Sequence, residues 1–570
     1  MKIAKLSLLL DRSTAERRWT YGLNSFEYYM EEVLSRAAVP YEVMNDVGQL
    51  ANCQDDIVIA ALVPDDQRTA ALVWDYAERG GTVILCSQLH ALAPKLGMFP
   101  ENSPQTGYAA GLSGCTRPLR YFQAAIWRAA DGASTCLIRQ DGELRKEKPQ
   151  GEALGAVWQL FKIGEGSLER WSVDITGAIV NLQQGTGPVL DDATPAPDGS
   201  APLNEGILKA DDRCAMDWEH DRLFTETGMP YFAYPYADLW REQFIGRLLQ
   251  AALAKGMTLP FVGYWPDGIE QIAMISHDSD LNEDIHAEST LALLDECKVN
   301  SSWCMIEPGY SASIYDQVKA AGHELAFHYN ALEQGGGNWS EEEFDRQVAW
   351  LKEAAGLTAV TSNKNHYTRY EGWGELFAWC EKNRIQSDQT RGPSKKGNVG
   401  FIFGTCHPYF PIAWSNEKNR MYDVVEIGFL TQDLDLSQYW SDSTVVIPFL
   451  DRVKEVRGVA HFLFHQVHIH QSAPVRAAFR KVIHEARKRG FTFWTAEQIN
   501  RWERARRQMR ITACGEAGAA FNVEKPIPGA VIWEPVAADY RPDQGEEIQV
   551  QYGVACRKHA TREEGASWKN

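Results

Sequence analysis

Four strand-like stretches in the second half of the chain each run into an aspartate or a histidine. They span residues 272–280, 324–328, 360–366 and 459–465. In a parallel (β/α) barrel the carboxyl ends of the strands lie on one face, and that face carries the active site. The pattern therefore predicts a distorted (β/α) barrel with polar residues gathered at one end.

Histidine is concentrated in the same part of the chain. Eleven of the 14 histidines lie between residues 277 and 484, whereas an even spread of 14 over 570 residues would place about five there. Imidazole is the commonest metal ligand and a frequent general acid or base. The excess predicts a metal-binding or catalytic site in this region.

Asp278 and Asp280 stand one residue apart at the end of the first stretch. Two ionised carboxylates this close repel unless a cation lies beside them, which favours a metal site. The alternative is an Asx turn or a cap for the following helix. His328 would lie at the mouth of the next strand, where the alternative is a core histidine bonded to a carbonyl. Alternation along the last stretch would put His461 and His465 on one face if that strand continues.

Charge and hydropathy exclude several classes of protein. With 57 Lys and Arg against 76 Asp and Glu, the net charge of −19 disfavours nucleic-acid binding. No stretch approaches about 18 uncharged apolar residues, so we expect no membrane span. The 11 cysteines include no CxxC pair, which favours reduced thiols and a cytoplasmic location. The arginines between 501 and 510 predict a solvated helix end.

Residues 1–110 alternate between strand-like and helix-like patterns. Apolar stretches at 55–63 and 82–86 flank a helix-like stretch and a Gly-Gly pair, which predicts a parallel α/β layer. The layer lacks the GxGxxG of a dinucleotide fold and resembles glutamine-amidotransferase-like domains. Those domains carry their nucleophile in a Gly-x-Cys-x-Gly turn, but Cys86 has no flanking glycine. We therefore expect a scaffold, with an amidotransferase-type enzyme using Cys86 as the alternative.

The pattern divides the chain into four segments. Residues 1–200 would form the amidotransferase-like α/β scaffold with a β-rich extension, and 201–259 a linker with a connecting helix. Residues 260–512 would form the barrel. The short strands that follow predict a small β domain over 513–570. The expected fold class is α/β with this β domain appended.

The order of the motifs resembles the polysaccharide deacetylase family, also called the NodB-homology family or carbohydrate esterase family four. The likeness spans about residues 260–505 and rests on three motifs, Asp278-Ser279-Asp280, Gly322-His323-Glu324-Leu325 before His328, and Phe462-Leu463-Phe464-His465. The resemblance implies a barrel with fewer than eight complete units. It also implies a hydrolase that uses one divalent ion, usually zinc, to remove N-acetyl or related acyl groups from glycans.

By this resemblance, Asp278 takes the place of the general base and His465 that of the general acid. Asp280 and His328 take the places of metal ligands, with His328 as the first histidine of a His-x-x-x-His pair. The family has two adjacent aspartates, whereas one residue separates Asp278 from Asp280 here. The roles of the two carboxylates are therefore open to exchange.

The second histidine of the metal pair is missing, because the fourth residue after His328 is Leu332. Nor does an Arg-x-Pro-Tyr/Phe motif follow the third stretch. His366 ends that stretch and can replace the missing ligand. Two imidazoles and one carboxylate, with a position left for water, are a ligand set of catalytic zinc. We expect Asp280, His328 and His366 to hold one divalent ion, most simply Zn²⁺.

The expected substrate is a carbohydrate or an acylated small molecule. Region 367–440 is rich in aromatic residues, Tyr439 and Trp440 among them, whose rings could stack on sugar faces. The predicted substrate contacts are Arg369, Asp388 and His407. A non-catalytic glycan-binding or assembly protein is the alternative, and formation of a homo-oligomer stays open.

Overall fold

The computed structural model describes residues 1–86, 88–101, 106–129, 136–202, 206–436, 441–514 and 521–560. Tyr439 and Trp440, two of the predicted stacking residues, lie outside these ranges. The described chain contains two nine-stranded sheets, one four-stranded sheet and several strand pairs. None of the helices in these ranges combines the length and the apolar character that crossing a membrane requires.

One nine-stranded sheet is parallel throughout and curls into an open barrel. Its main strands run in the order Val425–Glu426, Ser387–Asp388, Ser362–Asn365, Glu324–Tyr329, Ser302–Met305, Ile272–Asp278, Val459–Leu463 and Thr431–Gln432. Thr492–Phe493 pairs with the start of the strand Ile272–Asp278. Consecutive strands are joined through the helices Asp284–Cys297, Ala312–Ala320, Glu341–Ala354, Glu375–Lys382, Val446–Val456 and Ala473–Lys488. The predicted parallel β/α pattern is confirmed.

Local signals set the helix boundaries in the barrel. Ser340 caps the helix Glu341–Ala354 by accepting a hydrogen bond from a backbone N–H, and three glutamates in its first turn face the positive end of the helix dipole. The helix Ala312–Ala320 ends just before Gly322, whose φ of 78° turns the chain towards the strand Glu324–Tyr329. These turns fix where a strand begins and which residue stands at its carboxyl end.

Polar side chains inside the barrel show how strongly the sheet curls. Lys364 and Ser276 lie on strands separated by two others, yet Lys364 Nζ is 2.7 Å from Ser276 Oγ. Ser276 Oγ is also 2.7 Å from His461 Nε2, and His461 Nδ1 donates to the Ile427 carbonyl at 3.1 Å. The bond from Lys364 crosses the interior, whereas Ser276 and His461 lie on neighbouring strands.

The other nine-stranded sheet has a parallel half and an antiparallel half. The parallel half contains Glu42–Met44, Leu6–Leu10, Ile57–Leu62, Thr82–Leu85 and Gly166–Trp171. The antiparallel half adds Ala153–Ile163, Leu137–Lys146, Gly107–Ala110 and Leu119–Tyr121. The accompanying helices are Arg12–Thr20, Met30–Ala37, Gln67–Glu78 and Ile175–Gln184. The predicted strand–helix–strand order in the first hundred residues is confirmed.

The four-stranded antiparallel sheet contains one strand that precedes the barrel strands in sequence and three strands that follow them. Its strands are Phe261–Val262, Val531–Pro535, Val554–Ala560 and Ile548–Gln551. The predicted connecting helix spans Tyr236–Ala254, and Gly256 turns the chain after it with a φ of 70°. The segment boundaries at 200, 259 and 512 stay predictions.

A buried ionic cluster joins the barrel to the nine-stranded sheet of residues 6–171, which is called the first sheet from here on. Arg36, on the helix Met30–Ala37, contacts Glu503 on the helix Ala496–Arg507, and neither side chain is exposed. Arg506 is equally buried and lies 3.1 Å from Glu503. The prediction of a solvated helix end is therefore wrong for Arg506, because an acidic partner and the neighbouring layer enclose it.

Candidate metal centre

The strand Ile272–Asp278 delivers two carboxylates to the carboxyl end of the barrel. Asp278 is its last residue and is 5% exposed, and Asp280 follows in the turn. Ser279 between them accepts a hydrogen bond from the Ile306 backbone N–H at 3.1 Å, which fixes the turn. The next helix has Glu283 as its N-cap residue, so neither aspartate serves as a helix cap.

The structure brings Asp280, His328 and His366 together. His328 lies in the strand Glu324–Tyr329, and His366 directly follows the strand Ser362–Asn365. His328 Nε2 is 3.4 Å from Asp280 Oδ1, and His366 Nε2 is 3.7 Å from Asp280 Oδ2. One donor atom from each of the three residues lies within 4.8 Å of the other two. Three elements distant in sequence thus supply one cluster of donors.

The hydrogen bonds around this cluster fit a divalent ion. His328 Nδ1 donates to the Lys364 carbonyl at 2.9 Å, so Nε2 turns its lone pair towards Asp280. His366 Nδ1 lies 3.4 Å from Asn330 Oδ1. Among the described residues, neither His328 Nε2 nor Asp280 Oδ1 has a hydrogen-bond partner, although both atoms are buried. An imidazole nitrogen and a carboxylate oxygen left in this way are suitable ligands for a metal.

Lys364 is a site residue that sequence reasoning missed. It is fully buried, and its Nζ lies 3.3 Å from Asp278 Oδ1. Burial alone would raise the pKa of Asp278, but the charges of Lys364, His328 and His465 lower it below its ordinary value. The four residues of the strand Ser362–Asn365 are polar yet all buried, so the sequence offered no apolar pattern that could have revealed Lys364.

His465 reaches the site from beyond a strand end. The strand Val459–Leu463 stops two residues earlier, so the condition for the predicted alternation is not met, and His461 bonds inside the barrel to Ser276. His465 Nε2 is 3.4 Å from Asp280 Oδ2, and its Nδ1 contacts Asp433. Burial would lower the pKa of His465, but Asp433 and Asp280 raise it to about 10.

Asp433 was also missed from the sequence. It follows the two-residue strand Thr431–Gln432, which is too short to produce a visible apolar pattern. Besides contacting the ring, Asp433 accepts a hydrogen bond from the His465 backbone N–H at 2.9 Å. Asp433, His465 and His468 form a second group whose donor atoms lie within 4.8 Å of one another. The structure therefore gathers further donors beside the first three.

The site residues described above, except His328 and Lys364, line one cavity of about 260 Å³. Its described lining residues are Lys209, Asp278, Asp280, His366, Tyr367, Thr368, Ser394, Gln432, Asp433, Leu463, His465 and His468. Ligand clefts usually measure about 300–1,000 Å³, so this one lies at the small end. Its size suits a small ligand better than a long stretch of polymer.

The predicted aromatic platform is reduced to one residue at this cavity. Tyr367 lines it with a ring that is 51% exposed. Tyr370, Trp373 and Tyr409 are at most 4% exposed and belong to the core. Among the described residues of the aromatic-rich region, Tyr367 is thus the one that a ligand in the cavity would meet.

Arg369 and Asp388 do not line the cavity. Arg369 pairs with Glu371 instead. Asp388 is fully buried, and its Oδ1 accepts a hydrogen bond from Asn363 Nδ2 at 2.7 Å. The burial of Asp388 contradicts the prediction that it contacts substrate, whereas the role of Arg369 stays a prediction.

His407 lies in the contact between the first sheet and the barrel. Its Nδ1 contacts Arg36, and its Nε2 donates to the Val456 carbonyl at 2.6 Å. Burial and the charge of Arg36 lower the pKa of His407 well below its ordinary value, so the ring stays neutral. The prediction of His407 as a substrate contact is wrong, because both ring nitrogens are bound away from the cavity.

Cys86 lacks the properties of a nucleophile. Burial and the neighbouring Asp174 raise the pKa of its thiol well above the ordinary value. A catalytic cysteine needs the opposite shift, since the thiolate is the reactive form. The amidotransferase alternative therefore gains no support.

No protein-family model matches the chain, and no curated protein matches it. Among solved structures, a protein from Mycobacterium smegmatis assigned as a polysaccharide deacetylase is 17% identical over 43% of this chain and 93% of its own, with a TM-score of 0.31. A protein from Bordetella bronchiseptica, assigned as a polysaccharide deacetylase of O-antigen biosynthesis, is 16% identical over 40% and 83%, with a TM-score of 0.25. A CE4-family pseudoenzyme from Bacillus anthracis is 10% identical over 41% and 66%, also with a TM-score of 0.25. The description of the barrel rests on its own strand order and pairing.

Proposed function

We propose that this chain is a metal-dependent hydrolase of the polysaccharide deacetylase type, which removes an N-acetyl or related acyl group from a carbohydrate or a related amide. One observation carries the proposal. Asp280, His328 and His366 converge, and a nitrogen of His328 and an oxygen of Asp280 are buried without a hydrogen-bond partner among the described residues. Asp278 and His465 stand beside these donors as base and acid.

The residues that would hold the ion are Asp280, His328 and His366. Two imidazoles and one carboxylate are a ligand set of catalytic zinc. Such an ion would polarise the acyl carbonyl and lower the pKa of a bound water to about 7. His328 and His366 are oriented for this role from behind, by the Lys364 carbonyl and by Asn330.

Asp278 is suited to take a proton from the attacking water. The cationic neighbours that lower its pKa keep the carboxylate ionised at neutral pH. Lys364 holds Oδ1, while Oδ2 faces His328 at 3.8 Å and His465 at 4.0 Å. The distances therefore favour Asp280 as the ligand and Asp278 as the general base, rather than the exchanged roles.

His465 is suited to protonate the leaving nitrogen or oxygen. A pKa of about 10 keeps its imidazole protonated at neutral pH, and Asp433 holds the Nδ1 side of the ring. Nε2 then faces the cavity as the proton donor. Two groups whose surroundings shift their pKa values in opposite directions form an acid–base pair.

Acetate release from N-acetylated amino-sugar oligomers tests the proposal. The full chain, purified without a histidine tag, should release acetate. Asp278→Asn should lower kcat by about 10²- to 10⁴-fold and keep the wild-type metal content. Asp295→Asn is the matched control, because Asp295 is exposed on a helix surface. Wild-type protein that contains metal but releases no acyl group from any tested glycan would contradict the proposal.

The alternative is a glycan-binding or assembly protein without catalysis. The leucine at position 332, where the family has its second metal histidine, favours this alternative. A metal-free chain that still binds acetylated oligosaccharides would establish it. Bound metal together with hydrolysis would exclude it.

A further inference from the structure

Lys209 reaches the catalytic cavity from the segment predicted to be a linker. The backbone of Lys209 pairs with that of Arg369, and the Tyr370 N–H donates to the Leu208 carbonyl at 3.0 Å. These bonds dock the segment against the loop that follows His366. Lys209 therefore has a fixed place in the cavity wall.

The ammonium group of Lys209 has no hydrogen-bond or ion-pair partner among the described residues. Its side chain lines the cavity that contains Asp278 and His366, and the residue is only 4% exposed. No described residue forms a hydrogen bond or an ion pair with its Nζ, and the nearest aromatic ring, that of Tyr367, is centred 5.3 Å away. Burying a charge in this way is costly unless an opposite charge joins it.

The nearby carboxylates already have other partners. Asp211 accepts hydrogen bonds from Ser394 Oγ at 2.6 Å and from Asn398 Nδ2 at 2.7 Å. Asp212 binds Lys395 Nζ at 2.6 Å and the backbone N–H of Lys209 at 2.7 Å. Both acids are thus used to hold the segment in place.

Thr368 supplies a second polar atom without a partner. Its Oγ1 is buried and has no hydrogen-bond partner among the described residues, and the residue lines the same cavity. An oxyanion can accept hydrogen bonds from an ammonium and from a hydroxyl, whereas a neutral sugar hydroxyl would leave the charge uncompensated.

We propose that Lys209, with Thr368, binds a carboxylate or phosphate group carried by the substrate next to its acyl group. The inference rests on the proposed hydrolase function and narrows its substrates to anionic acylated sugars. Among the described residues that line the cavity, Lys209 is the one lysine or arginine. The other cation in the cavity, the protonated His465, is held by Asp433 and Asp280, so the preference would depend mainly on Lys209.

Calorimetric titration of the full chain, stripped of metal by chelation and dialysis, tests this inference. The probes are N-acetylmuramic acid for the carboxylate, N-acetylglucosamine 1-phosphate for the phosphate and N-acetylglucosamine as the neutral reference. At least one anionic probe should bind about 10- to 100-fold more tightly than the reference. The anionic probe that binds more tightly identifies whether the site prefers a carboxylate or a phosphate group.

Three variants assign the preference to Lys209. Lys209→Met should remove it, whereas Lys209→Arg should keep most of it. Lys382→Met is the control, because Lys382 is exposed and paired with Glu341 and Asp345. Equal affinities for all three probes in the wild type, or a preference that survives in Lys209→Met, would overturn the inference. If Lys209→Met does not fold, the affinities of the wild type for the three probes still show whether the cavity prefers an anionic ligand.

Acetate release from the metal-loaded chain separates this inference from the function it rests on. Release from neutral oligomers with no anionic preference in the titration would overturn the role of Lys209 and leave the hydrolase. An anionic preference that Lys209→Met removes, with no release from any probe, would support the binding role and contradict the hydrolase.

Discussion

Lys364 crosses the barrel interior to Asp278, with its Nζ 3.3 Å from Asp278 Oδ1. Two strands separate the strands that carry these residues. Lys364 is fully buried and Asp278 is 5% exposed, so solvent screens their attraction only weakly. The ammonium group therefore stabilises the ionised form of the carboxylate proposed as the base.

Replacing Lys364 with methionine should weaken the base. Because Lys364 lowers the pKa of Asp278, its loss raises that pKa, and activity on the acidic side should fall at a higher pH than in the wild type. The pH profile of kcat/KM for acetate release measures the shift. Lys382→Met controls for the loss of a lysine elsewhere. An unchanged acidic limb in a folded Lys364→Met protein would contradict the role of Lys364.

Replacing Asp433 with asparagine should weaken the acid. Asp433 raises the pKa of His465, so its loss lowers that pKa, and activity on the basic side should fall at a lower pH. We expect kcat to decrease by about 10²-fold or more while KM changes little. Asp435→Asn, two residues further on, should keep the wild-type profile. A wild-type basic limb in Asp433→Asn would rule out the pairing as a source of acid strength.

Glu503 should be a major stabiliser of the contact between the first sheet and the barrel. Glu503→Gln leaves Arg36 and Arg506 buried beside a neutral group, and removing one partner of a buried pair costs about 3–5 kcal/mol. Urea unfolding measures the free energy of unfolding. Glu497→Gln on the same helix breaks an exposed pair with Arg501 and should cost less than about 1 kcal/mol. Equal effects of the two variants would contradict the account of the cluster.

Buried neutral histidines should make the protein sensitive to acid. Burial lowers the pKa of His323 to about 4 and that of His461 to about 3, and burial and Arg36 lower that of His407 well below its ordinary value. The unfolded chain takes up protons at these residues below about pH 6.5, whereas the folded chain does not. These histidines therefore lower the free energy of unfolding as the pH falls from 6.5 towards these folded values. Glu169 and Glu242, whose pKa values burial raises to about 7, act in the opposite direction, so substitution is needed to isolate the histidine contribution.

Urea unfolding at several pH values between 7.5 and 5 tests this dependence. Each histidine contributes up to about 1.4 kcal/mol per pH unit. His323→Asn should reduce the slope by about one such contribution, whereas His484→Asn, at an exposed position, should leave it unchanged. A slope in His323→Asn equal to that of the wild type would contradict the prediction.

The sequence predicted those parts of the site that follow visible strands. Asp278, His328 and His366 stand at or just beyond strand ends, where β/α periodicity places them on one face. Lys364 was not predicted because it lies within a short polar strand. Asp433 was not predicted because it follows a strand of only two residues. Apolar periodicity marks only residues next to long apolar runs.

The wrong prediction for His407 concerns a polar residue whose partner is distant in sequence. His407 contacts Arg36, which is 371 positions away, and no local pattern could reveal that contact. From the sequence alone, a histidine held inside the protein looks the same as one that faces a substrate. The opposite failure concerns Lys209. It lies in the segment predicted to be a linker, where no site residue was expected, yet it lines the cavity.

The metal content of the untagged chain, measured for the wild type and for His366→Ala, tests the central claim most directly. The convergence of Asp280, His328 and His366 predicts about one divalent ion per wild-type chain and a large loss in His366→Ala. His484→Ala, at an exposed histidine, should keep the wild-type content. A metal-free wild type, or an unchanged content in His366→Ala, would contradict the claim that these three residues form a metal site.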